Sequence, residues 1–325
     1  MTVLRSQIIG AGHYLPERIL TNSELSKTVD TSDEWIRERT GIKERHIAAD
    51  NEKTSDLAFK AASKAIENAK ITADDIDAIV LGTTTPDNTF PATAAKVQAL
   101  LGMTRGFAFD VQAVCSGFIY ALMAADNLIR LKQAKKVLVI GAETFSRILN
   151  WNDRNTCVLF GDGAGAIVLS ACEGEGTSND TGIIDINVYS DGREYEQLYL
   201  TGGPSSLERI GNIFMNGREV FKHAVTNLAV AAQTILDNNK IKVEEISWLL
   251  PHQANARIID STSKKLGIPN EKVIITVDKH ANTSAASIPL ALSESMMAGK
   301  IKKGDLVVMD AMGGGFTWGA ALVRI

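Results

Sequence analysis

The sequence predicts an α/β protein, an internally duplicated, layered sandwich of two mixed sheets around buried central helices. Strand-like and helix-like segments alternate along most of the 325 residues, the pattern of layered α/β folds. The segments of the first half return in the same order about 170 residues later, the mark of a duplicated unit. Each half also carries a stretch that is apolar around its whole circumference, "FIYALMAA" (118–125) and "SIPLAL" (287–292). A helix without a polar face belongs in the interior.

In the first half, strand "AIVLG" precedes helix "TAAKVQALLG", strand "GFAFDVQ", helix "SGFIYALMAADNLIRL", strand "KVLVIGA" and strand "GAGAIVLS". In the second, "SWLLP" precedes helix "NARIIDSTSKKLG", strand "KVIITV", helix "AASIPLALSESMMAG", and strands "DLVVMDA" and "GAALVRI". Such alternation predicts largely parallel pairing within each sheet. Three echoes carry the duplication: "KITADDIDAIVL" (70–81) with "KIKVEEISWLL" (240–250), "AKKVLVIGAE" with "IKKGDLVVMDAM", and "GAGAIVLS" with "TWGAALVRI". The Gly- and Ser-containing stretch "CEGEGTSNDTG" separates the copies, giving an N-terminal half over 1–172 and a C-terminal half over 173–325.

With 45% hydrophobic residues, the chain can bury a large core. A formal net charge of −4 supplies no global field for nucleic acid or an acidic membrane. No apolar run approaches the ~18 residues of a membrane span, and the start "MTVLRSQIIGAGHYLP", with Arg5 and Pro16, does not read as a secretory signal. Three scattered cysteines, Cys115, Cys157 and Cys172, form no CxxC pair and fit a reducing compartment. The expected protein is soluble and cytoplasmic.

Cys115 follows "FAFDVQ" and opens the first buried helix. There the free N–H groups and the helix dipole favour an anion, and helix N-termini lower thiol pKa values. It is either a nucleophile or a small buried hydrophobe; Cys157 and Cys172 lack this setting and read as core. His252, in "LLPHQANARI", stands between a strand and a helix, as a hydrogen-bonding group in a cleft or a satisfied buried histidine. Asn282, in "KHANTSAASIP", opens the second buried helix in the place expected to mirror Cys115, or it is an ordinary helix cap. His280 reads as its support. The glycines of "FGDGAGAIVLS" precede a β-rich run rather than a helix, so they mark a turn and not a dinucleotide site. No His/Cys/Asp/Glu set has metal spacing.

Taken together and in order, "TSDEWIRERTGI", "TFPATA", "AVCSGF", "FGDGAGA", "PHQAN", "ANTSAAS" and "GGGFTWG" resemble the β-ketoacyl-acyl-carrier-protein synthase III family of type II fatty acid synthesis. The likeness runs nearly end to end. It implies a thiolase-like fold, a homodimer, and condensation of a short acyl-CoA, with acetyl-CoA the expected primer, with malonyl-acyl-carrier protein. It implies Cys115 as nucleophile, His252 and Asn282 as donors to the malonyl thioester oxygen, and the N–H groups of Cys115 and Gly314 as oxyanion hole. Neither metal nor bound organic cofactor is implied.

By the same resemblance Trp35 and Arg154 would sandwich the CoA adenine, with Thr31 and Arg39 near the nucleotide and Gly217 and Asn255 along the pantetheine arm. Phe90 would reach across the dimer towards the partner's acyl pocket, which Met312 would help to line. Lys222, Arg257, Lys264 and Lys265 would face the acidic carrier protein; without the resemblance they read as a solvated helix face. Met312 stands where the family's phenylalanine is familiar, and Arg218 where a small polar residue is. A thiolase would carry a second catalytic cysteine near the C-terminus, and elongating synthases a histidine at position 282; this chain has neither. The remaining rivals are a condensing enzyme of polyketide or quinolone metabolism and a non-enzymatic scaffold that kept the fold.

Overall fold

The computed structural model describes residues 2–206 and 211–325. In chain order its strands are β1 (Val3–Tyr14), β2 (Arg18–Thr21), β3 (Glu44–Ile47), β4 (Ala78–Gly82), β5 (Phe107–Val111), β6 (Lys136–Glu143), β7 (Gly163–Gly174), β8 (Gly182–Ser190), β9 (Leu198–Leu200), β10 (Ile213–Met215), β11 (Trp248–Pro251), β12 (Leu306–Gly313) and β13 (Thr317–Arg324). One large sheet has the order β1-β7-β6-β4-β5 and the other β8-β13-β12-β11. The duplication is visible in that order. Where the second sheet would carry a fifth strand, Val273 makes one isolated bridge to Leu249.

That bridge corrects the expected strand "KVIITV". The side-chain oxygen of Gln253 accepts from the N–H groups of Thr276 (2.8 Å) and Val277 (3.1 Å), and the chain turns at once into the short helix Val277–His280. The sheets are also less parallel than alternation predicts. Strand β4 pairs parallel with β5 and β6, and β11 with β12, but β7 runs antiparallel to β6 and β1, and β13 to β12 and β8. Between β12 and β13 stand only residues 314–316, too few for a parallel crossover. Alternation did not reveal the edge strands β1 and β8.

The two central helices, Gly117–Arg130 and Ser287–Met297, lie between the sheets. Phe118, Ile119 and Leu122 from one and Ile288, Ala291 and Leu292 from the other share a core with inward residues of both sheets. The outer face of the first sheet packs on Thr54–Asn68 through its alanine stripe, Ala58, Ala61, Ala62 and Ala65. The second packs on Gly217–Asn238 and Ala256–Leu266. The first central helix is less enclosed than its composition predicts: Tyr120 and Met123 are half-buried, and Tyr120 Oη donates to the Tyr189 carbonyl at 2.7 Å.

Three glycines let the helices touch the first sheet's backbone. A Cβ on Gly82 would lie 2.8 Å from the Gly117 carbonyl. On Gly141 it would collide with the Ala285 carbonyl oxygen, and on its cross-strand partner Gly165 with the Leu290 amide. Backbone cannot swing aside as a side-chain tip can. Gly141→Ala and Gly165→Ala are therefore each expected to lose about 1–3 kcal/mol by overpacking, read as a lowered denaturant midpoint. Gly192→Ala, with open space at its Cβ, should leave the midpoint unchanged.

Candidate active site

Strand β5 ends at Val111, and the chain enters the first central helix through a single tight turn, Val114–Ser116. Val114 has φ +47°, a costly conformation for a β-branched residue. The turn Ser284–Ala286 repeats this design before the second central helix, with Ser284 at φ +50°. Cys115 occupies the middle of the first turn, so its counterpart is Ala285. This corrects the expectation that Asn282 mirrors the thiol. Asn282 lies upstream of its turn, in a β-bridge to Phe160: its N–H donates to the Leu159 carbonyl at 2.9 Å, and its carbonyl accepts from Gly161 at 3.0 Å.

The polar atoms of the site are committed in a way that fixes what remains free. Asn282 Oδ1 accepts from the Ser284 N–H at 2.8 Å, which leaves the amide NH2 as a donor. His252 follows β11, its N–H bound to the Asp310 carbonyl at 2.7 Å. Its Nδ1 stands 2.6 Å from Ser287 Oγ, and that oxygen also accepts from the Gln253 N–H at 3.3 Å. When the Ser287 hydroxyl donates to Nδ1, with its oxygen still accepting from Gln253, the imidazole proton lies on Nε2, the tautomer that makes the ring a donor into the cavity. Burial pushes the His252 pKa down to about 3, so the ring is a neutral N–H donor.

Cys115, His252 and Asn282 line one cavity of about 460 Å³ together with Met312 and Gly313. All three are buried, at 6%, 3% and 6% exposure. Burial pushes the Cys115 thiol up to about 12; the Ser284 hydroxyl works against this, and the negative charge of Glu143 adds to it. The expectation of a depressed thiol pKa is corrected. A rise of that size is worth about 4 kcal/mol, more than the ~2 kcal/mol a helix terminus supplies at best.

Glu143 was missed in the sequence. It is fully buried at the end of β6, and accepts from the N–H groups of Thr84 and Thr85 (both 3.1 Å), from Thr85 Oγ1 (2.5 Å) and from Ser284 Oγ (3.2 Å). Burial nevertheless pushes it up to about 7. An acidic residue closing the apolar run "KVLVIGAE" was the available signal, because sites of α/β sheets gather at the carboxyl ends of parallel strands.

Arg39, Gly217, Asn255 and Arg257 line the same cavity, as does Arg218. Asn255 also caps the helix Ala256–Leu266, accepting from the Ile258 N–H at 3.0 Å. Trp35 lies outside the lining, with the guanidinium groups of Arg39 and Arg154 at 4.9 and 5.2 Å from its ring centre. Thr31 precedes Trp35 by one helical turn in sequence, its hydroxyl buried without a partner. Gly313, rather than Gly314, faces the cavity: a Cβ on Gly313 would lie 2.6 Å from the Cys115 nitrogen, whereas one on Gly314 would meet the Leu198 carbonyl. Met312 packs on Ala224, Leu228, Ile258 and Phe316. Phe90 does not line this cavity and is 82% exposed.

Lys222, Arg257, Lys264 and Lys265 are exposed on two packed helices; Lys264 pairs with Asp260 at 2.8 Å and Lys222 with Glu219 at 3.5 Å. His280 is buried outside the cavity, its Nε2 3.6 Å from Glu294. Cys157 and Cys172 also lie outside it. Among the described residues no group of three or more His, Cys, Asp or Glu is placed to hold a metal ion, and no helix is long and apolar enough to cross a membrane.

The tautomer of His252 is directly measurable. Nitrogen NMR of imidazole-labelled protein should show one neutral, Nε2-protonated ring that does not titrate between pH 5 and 8, the range in which an ordinary histidine does. In Ser287→Ala the same ring should shift towards a mixture of tautomers. A cationic His252 at pH 6 would overturn this assignment.

Comparison with known proteins agrees with these motifs. Residues 109–192 match the family model described as 3-oxoacyl-[acyl-carrier-protein] synthase III, and residues 236–325 match its C-terminal model. The β-ketoacyl-[acyl-carrier-protein] synthase III of Paramagnetospirillum magneticum is 61% identical over 323 residues, covering 99% of this chain and 100% of that protein. The crystal structure of 3-oxoacyl-[acyl-carrier-protein] synthase III from Aquifex aeolicus superposes with a TM-score of 0.93 at 48% identity, covering 98% and 100% of the two chains. The priming β-ketosynthase of the R1128 polyketide pathway superposes with a TM-score of 0.92 at 31% identity, covering 98% and 96%. On sequence, fold and full-length coverage alike, this chain belongs to the β-ketoacyl-acyl-carrier-protein synthase III family and has its thiolase fold.

Proposed function

We propose that the protein is the initiating condensing enzyme of type II fatty acid synthesis. It joins a short acyl-CoA, with acetyl-CoA the expected primer, to malonyl-acyl-carrier protein and gives 3-oxoacyl-carrier protein, CoA and carbon dioxide. The observation that best supports this is the meeting, in one buried cavity, of a thiol from the first half with two uncharged N–H donors from the second. In the first half-reaction Cys115 attacks the acyl-CoA thioester and CoA leaves. The oxyanion is held by backbone N–H groups of Cys115 and of the glycine run, where Gly314 is the family's residue and Gly313 the one lining this cavity.

In the second half-reaction His252 Nε2–H and the Asn282 amide donate to the malonyl thioester oxygen. They stabilise the enolate formed as carbon dioxide departs, and its carbon attacks the acyl group on Cys115. The equation closes without an oxidant or reductant, so no cofactor is proposed. Gly217 and Asn255 would carry the pantetheine arm, and Thr31, Trp35, Arg39 and Arg154 the nucleotide. At 5.2 Å, Arg154 is too close to Trp35 to admit an adenine between them and must swing out first. Exposed Phe90 supports a homodimer in which it enters the partner's acyl pocket beside Met312. The duplicated halves, 1–172 and 173–325, and a cytoplasmic location complete the proposal.

The half-reactions can be separated by following labelled acetyl transfer and labelled carbon dioxide release independently. Cys115→Ala should take up no acetyl label, while Cys157→Ala and Cys172→Ala label normally. Asn282→Ala should still load Cys115 but lose carbon dioxide release by about 100-fold or more, the usual cost of one oxyanion donor. Equal loss of both activities in a folded Asn282→Ala protein would refute this division of labour.

The cationic face formed by Lys222, Arg257, Lys264 and Lys265 is proposed to receive the acidic carrier protein. Reversing Lys222 and Arg257 to glutamate should raise KM for malonyl-carrier protein, more at low salt than at high; because Arg257 also lines the cavity, the acetyl-CoA control is Lys222→Glu alone, which should change little for that substrate. If the polyketide reading were right, the natural carrier and extender would differ while these effects persisted, so competition between the two carrier proteins distinguishes them.

A further inference from the structure

The backbone of Asn282 is not held by the helix that follows it. Its N–H donates to the Leu159 carbonyl at 2.9 Å, and its carbonyl accepts from the Gly161 N–H at 3.0 Å. Both bonds go to the segment 158–162, which also lines the cavity through Leu159 and Phe160. That segment belongs to neither large sheet, so no ladder sets its position. Whatever fixes it also sets the aim of the Asn282 amide.

Three ties run from this segment to β3 and the residue after it. The Asp162 N–H donates to the His46 carbonyl at 2.9 Å, and the Ala48 N–H donates to Asp162 Oδ2 at 2.8 Å. The third tie is a buried charge. Arg45 is 0% exposed, and its Nη2 donates to the Val158 carbonyl at 2.9 Å. Its Nη1 donates to the Leu20 carbonyl at 3.1 Å and to Asn22 Oδ1 at 2.9 Å. All three acceptors are uncharged oxygens.

A guanidinium presents its donors in fixed directions from one rigid plane. Arg45 therefore sets the spacing between Val158 on one side and Leu20 with Asn22 on the other. The fit is tight: a Cβ on Gly161 would lie 3.0 Å from the Arg45 Cβ and 3.0 Å from the His280 carbonyl oxygen. The segment is thus gripped between the Arg45 stem and the chain that leads into Asn282.

We propose that Arg45 is a positioning residue for Asn282, holding the segment from which the Asn282 amide is aimed into the cavity. This rests on the reading of Asn282 as a donor to the malonyl thioester oxygen. Arg45 does not line the cavity and acts only through that segment. Cys115 and His252 have other anchors, the turn Val114–Ser116 for one and the Asp310 carbonyl with Ser287 for the other. Disturbing Arg45 should therefore damage one half-reaction and spare the other.

Labelled acetyl loading and labelled carbon dioxide release are followed separately, each at saturating substrate because Arg154, proposed to meet the nucleotide, lies just upstream of the segment. Arg45→Met keeps an unbranched stem and removes every donor. It should load acetyl groups near the parental rate but release carbon dioxide about 10- to 100-fold more slowly, the scale on which a misplaced group loses its effect. Arg45→Lys, with one ammonium in place of the fork, should fall between parent and Arg45→Met. Gly161→Ala presses on the same contact while keeping Arg45, so it should show the same selective loss even if Arg45→Met does not fold. In an Asn282→Ala background, Arg45→Met should slow carbon dioxide release no further, because the two residues act as one unit. Arg5→Lys is the structural control: Arg5 is another buried arginine, bonded to Asp180, Ile184 and Thr177. It should lower the denaturant midpoint and leave the ratio of the half-reactions unchanged.

Equal loss of both half-reactions in Arg45→Lys and Gly161→Ala would overturn the proposal, as would additive losses in the Asn282→Ala background. A shift of the ratio in Arg5→Lys as large as in Arg45→Lys would assign the effect to general loosening and also overturn it. Undiminished carbon dioxide release by Asn282→Ala alone would instead refute the underlying reading of Asn282, so the two failures are distinguishable.

Discussion

The close approach of the two central helices to a glycine-lined sheet is the constraint on which the rest of this structure depends. Gly82, Gly141 and Gly165 remove the Cβ atoms that would hold the helices off. The turns that lead into those helices can then face one another, each with a non-glycine residue in a left-handed conformation, Val114 and Ser284. Such strain, of order 1–3 kcal/mol per residue, persists only because packed helices on one side and sheet backbone on the other leave the turns no relaxed alternative. The dividend of that strain is positional: a thiol from one half and an imidazole and an amide from the other line one cavity.

Duplication supplied the frame and divergence supplied the chemistry. The first turn carries Cys115 where the second carries Ala285, and Ser284 stands where the first has Val114. The first turn is therefore polar at two positions that are apolar in its twin, Cys115 and Ser116 against Ala285 and Ala286, and the second at one, Ser284. His252 and Asn282 then enter from different elements, one at the end of β11 and one from a bridge to Phe160. Three separate backbone anchors make the geometry stiff, which suits hydrogen-bond donors that must already be aimed when charge develops on a substrate oxygen.

Much of this was legible in the sequence, for identifiable reasons. The duplication, the two central helices and the inner strands showed because apolar periodicity reports burial directly. Strands β1 and β8 were not seen, since no crossover helix frames an edge strand paired antiparallel to its neighbour. The failure of "KVIITV" as a strand depended on a side chain, Gln253, capturing two backbone N–H groups from more than twenty residues away. Cys115, His252 and Asn282 stood out as polar residues at strand exits. Glu143 and the two serines did not, because their meaning lies in hydrogen bonds between distant segments: Ser284 with Glu143, and Ser287 with His252. The thiol pKa was misjudged because a helix terminus is visible in sequence, whereas the depth of burial that outweighs it is not.

The fully buried ionisable groups Cys115, His252 and Glu143 share one electrostatic rule. Desolvation pushes Cys115 up, His252 down and Glu143 up, in each case towards the uncharged form. For the proposed reaction this is functional rather than incidental. An imidazolium beside a nascent carbanion would protonate it and waste the malonyl unit, whereas a neutral imidazole N–H and an amide N–H can hold the enolate oxygen without surrendering a proton to carbon. The same rule disfavours a free thiolate at Cys115. A substrate thioester, by contrast, brings its own electrophile and an oxyanion for which backbone donors are waiting.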